Sequence, residues 1–139
     1  MFVLDTNVIS EILRPAPSSA VIEWLESKPR NQLFTTTITQ AEILYGIALL
    51  PKSARRDKLA AATRAIFEED FDEKVLSFDS RAAGLYATIA ATRKLLGRPV
   101  SQLDAMIAGI AGAHQARLVT RNGRDFSDCG IEIIDPWDA

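Results

Sequence analysis

The sequence predicts an α/β fold of three layers, with a central parallel β-sheet of about five strands flanked by helices. Two observations carry that expectation. Short β-type runs recur at Phe2–Leu4, Leu33–Ile38, Lys74–Phe78, Arg117–Thr120 and Ile131–Ile134, and helical periodicity fills nearly all of the chain between them. Strands separated by helices are joined by right-handed crossovers, which leave the strands parallel. A length of 139 residues is that of one domain. With no internal repeat, low-complexity tract or linker-like break in composition, residues 1–139 are expected to form a single domain.

Taken in order, Phe2–Leu4 is an apolar run stopped by Asp5, as expected of a central, buried strand with a polar exit. Pro15-Ala16-Pro17 reads as a turn. The run Leu33–Ile38 is a second strand, followed by a helix expected to carry Glu42 in its first turn and to continue through Ile43–Leu50. After Lys74–Phe78 comes the alanine-rich stretch Ala82–Ala91, and Gly97-Arg98-Pro99 marks another turn. The helix through Ala105–Ala113 runs almost directly into Arg117–Thr120, so it must begin at the carboxyl edge of the sheet. Gly109 and Gly112 inside it each cost about 1 kcal/mol of helix propensity, which fits a helix lying very close to the sheet.

Composition narrows the chemistry. One cysteine, Cys129, and one histidine, His114, leave no zinc cluster and no paired-histidine catalysis, so hydrolytic chemistry would have to run on carboxylates. Without a partner to activate it, Cys129 reads as an inert, partly buried thiol. His114 sits late in its helix, as a surface residue or C-terminal charge. A net charge of −2 is far from that of a typical DNA-binding module, and contact with nucleic acid would need local basic patches or bridging cations. The most apolar stretches are too short and alanine-rich to span a bilayer, and a soluble cytoplasmic protein is expected.

In parallel sheets, ligands gather beyond the carboxyl ends of the strands. Asp5 stands at the exit of the first strand, Glu42 just past the second, Asp104 at the start of its helix, and Asn122 and Asp125 in the loop leaving Arg117–Thr120. Singly, each has a plain explanation: Thr39-x-x-Glu42 and Ser101-x-x-Asp104 both fit a capping box, Asp5 fits a helix cap, and Asp125 fits a turn before Phe126. Together, four acids on one edge would raise one another's pKa unless a cation neutralised them. Oxygen-only ligands favour Mg²⁺, with Mn²⁺ as a substitute, over zinc.

At these segments the sequence resembles the PIN-domain family, and most closely VapC-type toxins, including the FitB-like branch. Phe2-Val3-Leu4-Asp5-Thr6-Asn7 resembles the family's first motif, Thr37–Gly46 the second with Glu42 as its acid, Gln102–Ala108 the third with Asp104, and Thr120–Phe126 the fourth. The closing Asp135-Pro136-Trp137 resembles the tail of the FitB-like branch. Many relatives carry aspartate where Asn122 stands; the fourth acidic role is therefore assigned to Asp125, with Asn122 supporting it.

The resemblance implies a PIN-like fold and hydrolysis of RNA phosphodiester bonds, with Asp5, Glu42, Asp104 and Asp125 holding one or two Mg²⁺ and acting as the catalytic acids. Thr6 would support a ligand carboxylate or a metal-bound water, or cap its helix. Arg121 and Arg124 are expected to contact substrate phosphate, whereas Lys52, Arg55, Arg56, Lys58 and Arg64 read as a solvated helical face. Trp24, Trp137, Tyr45 and Tyr86 offer rings on which bases could stack, but anchoring the core or a subunit interface is the commoner use and the one expected. The resemblance further implies a cognate VapB-type antitoxin, a homodimer, and a higher assembly with the antitoxin on operator DNA. Exposed apolar positions on the first two helices are the expected docking groove. Two other readings compete: a catalytically weak PIN-like module that binds nucleic acid or antitoxin, and a receiver-type phospho-acceptor domain, whose pattern Asp5-Thr6-Asn7 and Thr120-Arg121-Asn122 do not match.

Overall fold

The apolar residues of the first strand alternate between two cores, and this sets the architecture of the computed structural model, which describes residues 1–139. Strand β1 is Phe2–Leu4. Phe2 and Leu4 join a cluster with Val8, Ile9, Val21, Trp24 and Ile43 on one face, and Val3 joins Ile107, Ala108, Leu118 and Phe126 on the other. Successive side chains of a strand point to opposite faces, so one three-residue strand serves both layers.

Around β1 the sheet has five strands, all parallel, in the order β3-β2-β1-β4-β5. The others are β2 (Leu33–Thr36), β3 (Val75–Leu76), β4 (Arg117–Val119) and β5 (Ile133–Ile134). The first face is covered by α1 (Thr6–Ile12), α2 (Ser19–Glu26) and α3 (Thr37–Ala48), with α4 (Ala54–Ala65) packed on α3 and widening into a π turn at Ile66–Asp70 that buries Ile66 and Phe67. The second face is covered by α5 (Ser80–Leu95) and α6 (Gln102–Ala113). These are the three layers expected. None of these helices is long and apolar enough to cross a membrane.

Every strand expected from the sequence is present; three end sooner than the apolar runs do, and β5 starts two residues later than its run. Side-chain oxygens stop two of them. Thr36 Oγ1 accepts from the Thr39 amide at 3.0 Å and Asp79 Oδ1 from the Ala82 amide at 3.0 Å, each opening the next helix. Ile38 therefore belongs to α3, and Glu42 lies in the second turn of that helix rather than its first. Thr39 is not a cap, so the Thr39-x-x-Glu42 capping box does not form. Ser101 does cap α6, accepting from the Asp104 amide at 3.2 Å.

Gly109 also departs from expectation. A Cβ there would lie 2.7 Å from the Ala82 carbonyl and 3.0 Å from the Tyr86 nitrogen, so the close approach is to α5 and not to the sheet. Gly97, at φ +74°, lies just past the end of α5 in the left-handed region that glycine adopts without strain. The expected core role holds for Trp24, which is buried edge-on against Phe2 with ring centroids 5.3 Å apart. Tyr45 is exposed on α3.

Candidate active site

Beyond the carboxyl ends of β1, β2 and β4 lies an open cleft of about 490 Å³, and ten of its eleven lining residues are not hydrophobic. Asp5, Glu42 and Asp104 all face it. Asp5 enters from the end of β1, is only 3% exposed, and opens α1 by accepting the Thr6 amide on Oδ1 at 2.8 Å. Its Oδ2 accepts the Thr120 hydroxyl at 2.8 Å and Asn7 Nδ2 at 3.2 Å. Burial pushes its pKa from 3.8 up to about 6, against the pull of the bonds from Thr120 and Thr6, and repulsion from Asp104 and Glu42 adds to the rise.

Glu42 projects from the second turn of α3, and its Oε1 accepts the Thr6 hydroxyl at 2.9 Å. Thr6 Oγ1 also lies 3.1 Å from that of Thr39, which is fully buried. One hydroxyl beside Asp5 thus fixes the second acid. Partial burial raises the pKa of Glu42, the Thr6 bond opposes it, and Asp104 reinforces it. Asp104 is raised by burial first, then by the charge of Asp125, with the Ser101 side chain opposing. Desolvation, more than mutual repulsion, sets all three.

The exit loop of β4 is tied to this site by residues that the sequence reading passed over. Asn7 donates to Thr120 Oγ1 at 3.0 Å and accepts the Arg121 amide at 3.2 Å, while Thr120 Oγ1 accepts the Asn122 amide at 3.1 Å. The only signal for Asn7 and Thr120 in the sequence is a polar residue just beyond an apolar strand. Ser10, Glu11, Arg14 and Trp137 also line the cleft and had no such signal.

No three acidic side chains stand close enough to enclose an ion by themselves. The donor set nonetheless suits a hydrated divalent cation: Mg²⁺ keeps several waters and needs only one or two carboxylates. Asp5, Glu42 and Asp104, with pKa values raised first by burial and then by neighbouring acids, would gain from a cation among them.

Next to the cleft is a second, more apolar groove of about 790 Å³ between α1, α3 and α4, lined by Leu13, Ile43, Ile47, Leu50 and Leu59. Ser10, Arg14 and Glu42 line both cavities. The walls of the groove come from α1, α3 and α4. Arg55 and Lys58 of the basic helical stretch also line it.

A family profile described as PIN domain matches residues 2–131. The chain belongs to the PIN-domain family. Within that family it is 38% identical, over the whole of both chains, to a plasmid stability protein StbB of Pseudomonas syringae pv. tomato. It is 35% identical to the VapC ribonuclease Y4jK of Sinorhizobium fredii over 99% of each chain. Among solved structures, that of FitAB bound to an IR36 DNA fragment superposes with a TM-score of 0.91 at 34% identity, covering 99% of this chain and 96% of that one. These similarities put the chain on the VapC-type branch.

In this PIN domain the four motifs do not contribute equally to the cleft. Asn122 lines it together with Arg121. Asp125 sits one short 3₁₀ turn further on, in Gly123–Phe126, exposed and outside the lining, although its charge is felt at Asp104. Arg124 is likewise exposed and outside the lining. Arg93, buried in α5, anchors this loop by donating to the Asp125 and Ser127 carbonyls at 2.9 and 2.8 Å. Cys129 is buried beside it, and burial raises its thiol pKa, consistent with an unreactive thiol.

Proposed function

We propose that this PIN domain is a Mg²⁺-dependent endoribonuclease that hydrolyses RNA phosphodiester bonds, and that it is the toxin component of a VapBC-type toxin–antitoxin module in the cytoplasm. The observation that carries the reading is the convergence of Asp5, Glu42 and Asp104 on one open cleft at the carboxyl edge of the sheet. The name of the VapC ribonuclease relative supports the same chemistry.

Mg²⁺ bound there would orient a water for in-line attack and offset charge building on phosphorus, and Mn²⁺ would substitute. The chain's own contribution is orientation. Thr6, Asn7 and Thr120 fix both oxygens of Asp5, and Thr6 also holds Glu42, so two of the acids keep one geometry before any ligand arrives. Asp104 completes the set from α6, with Asp125 acting on it through charge or through water and Asn122 offering a neutral amide on the wall. Attack by water rather than by the neighbouring 2′-hydroxyl leaves 5′-phosphate ends.

The apolar groove shares a wall with the acidic cleft, and a VapB-type antitoxin segment lying in it would reach the site and mask it. The FitAB structure bound to a DNA fragment supports an assembly with antitoxin on DNA, which in this reading is operator DNA bound by a toxin homodimer with its antitoxin. A catalytically weak binding module is the second reading, favoured by the neutral Asn122 on the cleft wall while Asp125 lies outside it.

The test is cleavage of a panel of purified RNAs by antitoxin-free protein with Mg²⁺, with Mn²⁺ and with EDTA, beside folded Asp5→Asn and Asp104→Asn variants. The expected result is metal-dependent cleavage with 5′-phosphate ends, lost in both variants. Cyclic 2′,3′-phosphate ends would exclude water as nucleophile. No cleavage by any form, with tight binding of RNA or antitoxin, would establish the binding module instead.

A further inference from the structure

Trp137 is the one hydrophobic side chain lining the acidic cleft, and nothing in the carboxylate chemistry uses it. The ring packs partly against the core cluster of Phe2 and Trp24 and carries the Arg121 guanidinium 4.8 Å from its centroid. The amide of Arg121 is tied to Asn7 Oδ1. The residue is therefore held both at its backbone and at the tip of its side chain.

Its charge is not consumed. The ion pairs of the chain use Arg14, Arg30, Arg98 and Arg117, and none involves Arg121. A guanidinium in a cleft lined by four carboxylates would ordinarily fold onto one of them, and Glu11 already feels its charge. Stacking on an indole, the ring that attracts cations best, opposes that collapse while leaving the planar fork of donors free for an anion. Arg124, which also flanks the loop, has no such support and does not line the cleft.

We propose that Trp137 is a positioning residue that holds Arg121 at the cleft rim to receive the non-bridging oxygens of an RNA phosphodiester. This rests on the ribonuclease reading and names the group that would bind its substrate. It also gives the Asp135-Pro136-Trp137 tail a role beyond packing.

The test measures binding of a labelled single-stranded RNA over a salt series, with Ca²⁺ in place of Mg²⁺ to spare the strand, and separately Mg²⁺-dependent cleavage. Arg121→Gln should weaken binding about tenfold and flatten the salt slope by about 0.7. Trp137→Leu should weaken binding about three- to fivefold and Trp137→Phe less, with the loss in kcat/KM entering through KM. The deciding variant is Trp137→Leu with Arg121→Gln: it should bind no more weakly than Arg121→Gln alone, because the ring acts through the arginine. If Trp137→Leu unfolds in urea much earlier than the wild type, Trp137→Phe, which keeps an aromatic ring in the packing, carries the same comparison.

Equal losses on removing Trp137 with and without Arg121, or an unchanged salt slope in Arg121→Gln, would overturn the proposal. Coupled losses in a protein that never cleaves RNA would sustain it and sink the ribonuclease reading. Metal-dependent cleavage with additive losses would do the reverse. A wild type that binds no RNA would overturn both.

Discussion

Replacing Asp5 by asparagine should stabilise the metal-free protein at neutral pH, although the same change should abolish cleavage. Asp5 is 3% exposed, and its pKa rises from 3.8 to about 6 on folding. A carboxyl raised in the folded state costs stability once ionised: the penalty is absent below 3.8, where both states are protonated, grows up to about 6, and is complete above it. That gap corresponds to about 3 kcal/mol. Asparagine escapes the penalty but turns an amide NH₂ towards the donors Asn7 and Thr120, forfeiting about 1 kcal/mol of hydrogen bonding. The variant should therefore be more stable by about 2 kcal/mol near pH 8, with the advantage gone by roughly pH 4 to 5 and reversed below. Urea denaturation of both proteins in EDTA across that range measures the difference directly. Adding Mg²⁺ should raise the stability of the wild type and leave the variant largely unmoved. A difference that does not change with pH, or a variant that is less stable near pH 8, would refute the claim that Asp5 is held ionised against its burial.

Four further outcomes follow from particular positions. Thr6→Val removes the hydrogen bond that lowers the Glu42 pKa, so the midpoint of that carboxyl in the metal-free protein should move to higher pH, as followed by carbon NMR of the side chain. Gly109→Ala should destabilise by about 1–3 kcal/mol despite its gain in helix propensity, because the new Cβ meets the backbone of α5. Gly46→Ala, with nothing within 4 Å, should be neutral or stabilising by up to about 1 kcal/mol, and thermal unfolding of the pair separates the two effects. Arg93→Met should destabilise by about 3 kcal/mol and speed amide exchange in the loop around Ser127, since it strands the Asp125 and Ser127 carbonyls.

Sequence by itself determined the α/β class, the position of each strand, and the carboxyl edge on which Asp5, Glu42 and Asp104 meet. These were legible because hydrophobic periodicity is local and a parallel sheet sends every strand exit to the same side. It also singled out Arg121 as a residue of the site, although it ranked Arg124 equally. Tertiary structure alone decided the strand order, which side chains hold Asp5, and which part of the fourth motif faces the cleft. The bond from Thr120 to Asp5 joins residues 115 positions apart, and no local pattern reports a contact made when the chain returns beside its own beginning. The helix start behind Glu42 was missed for another reason: Thr36 and Thr39 are both competent caps, and the strand geometry at Thr36 chose between them. Gly109 was read as a small residue against the sheet, but packing put its bare face on α5. Trp137 read as an anchor of the core or an interface until the fold laid Arg121 across it, because a cation–ring contact depends on where two distant loops finish and not on what either contains.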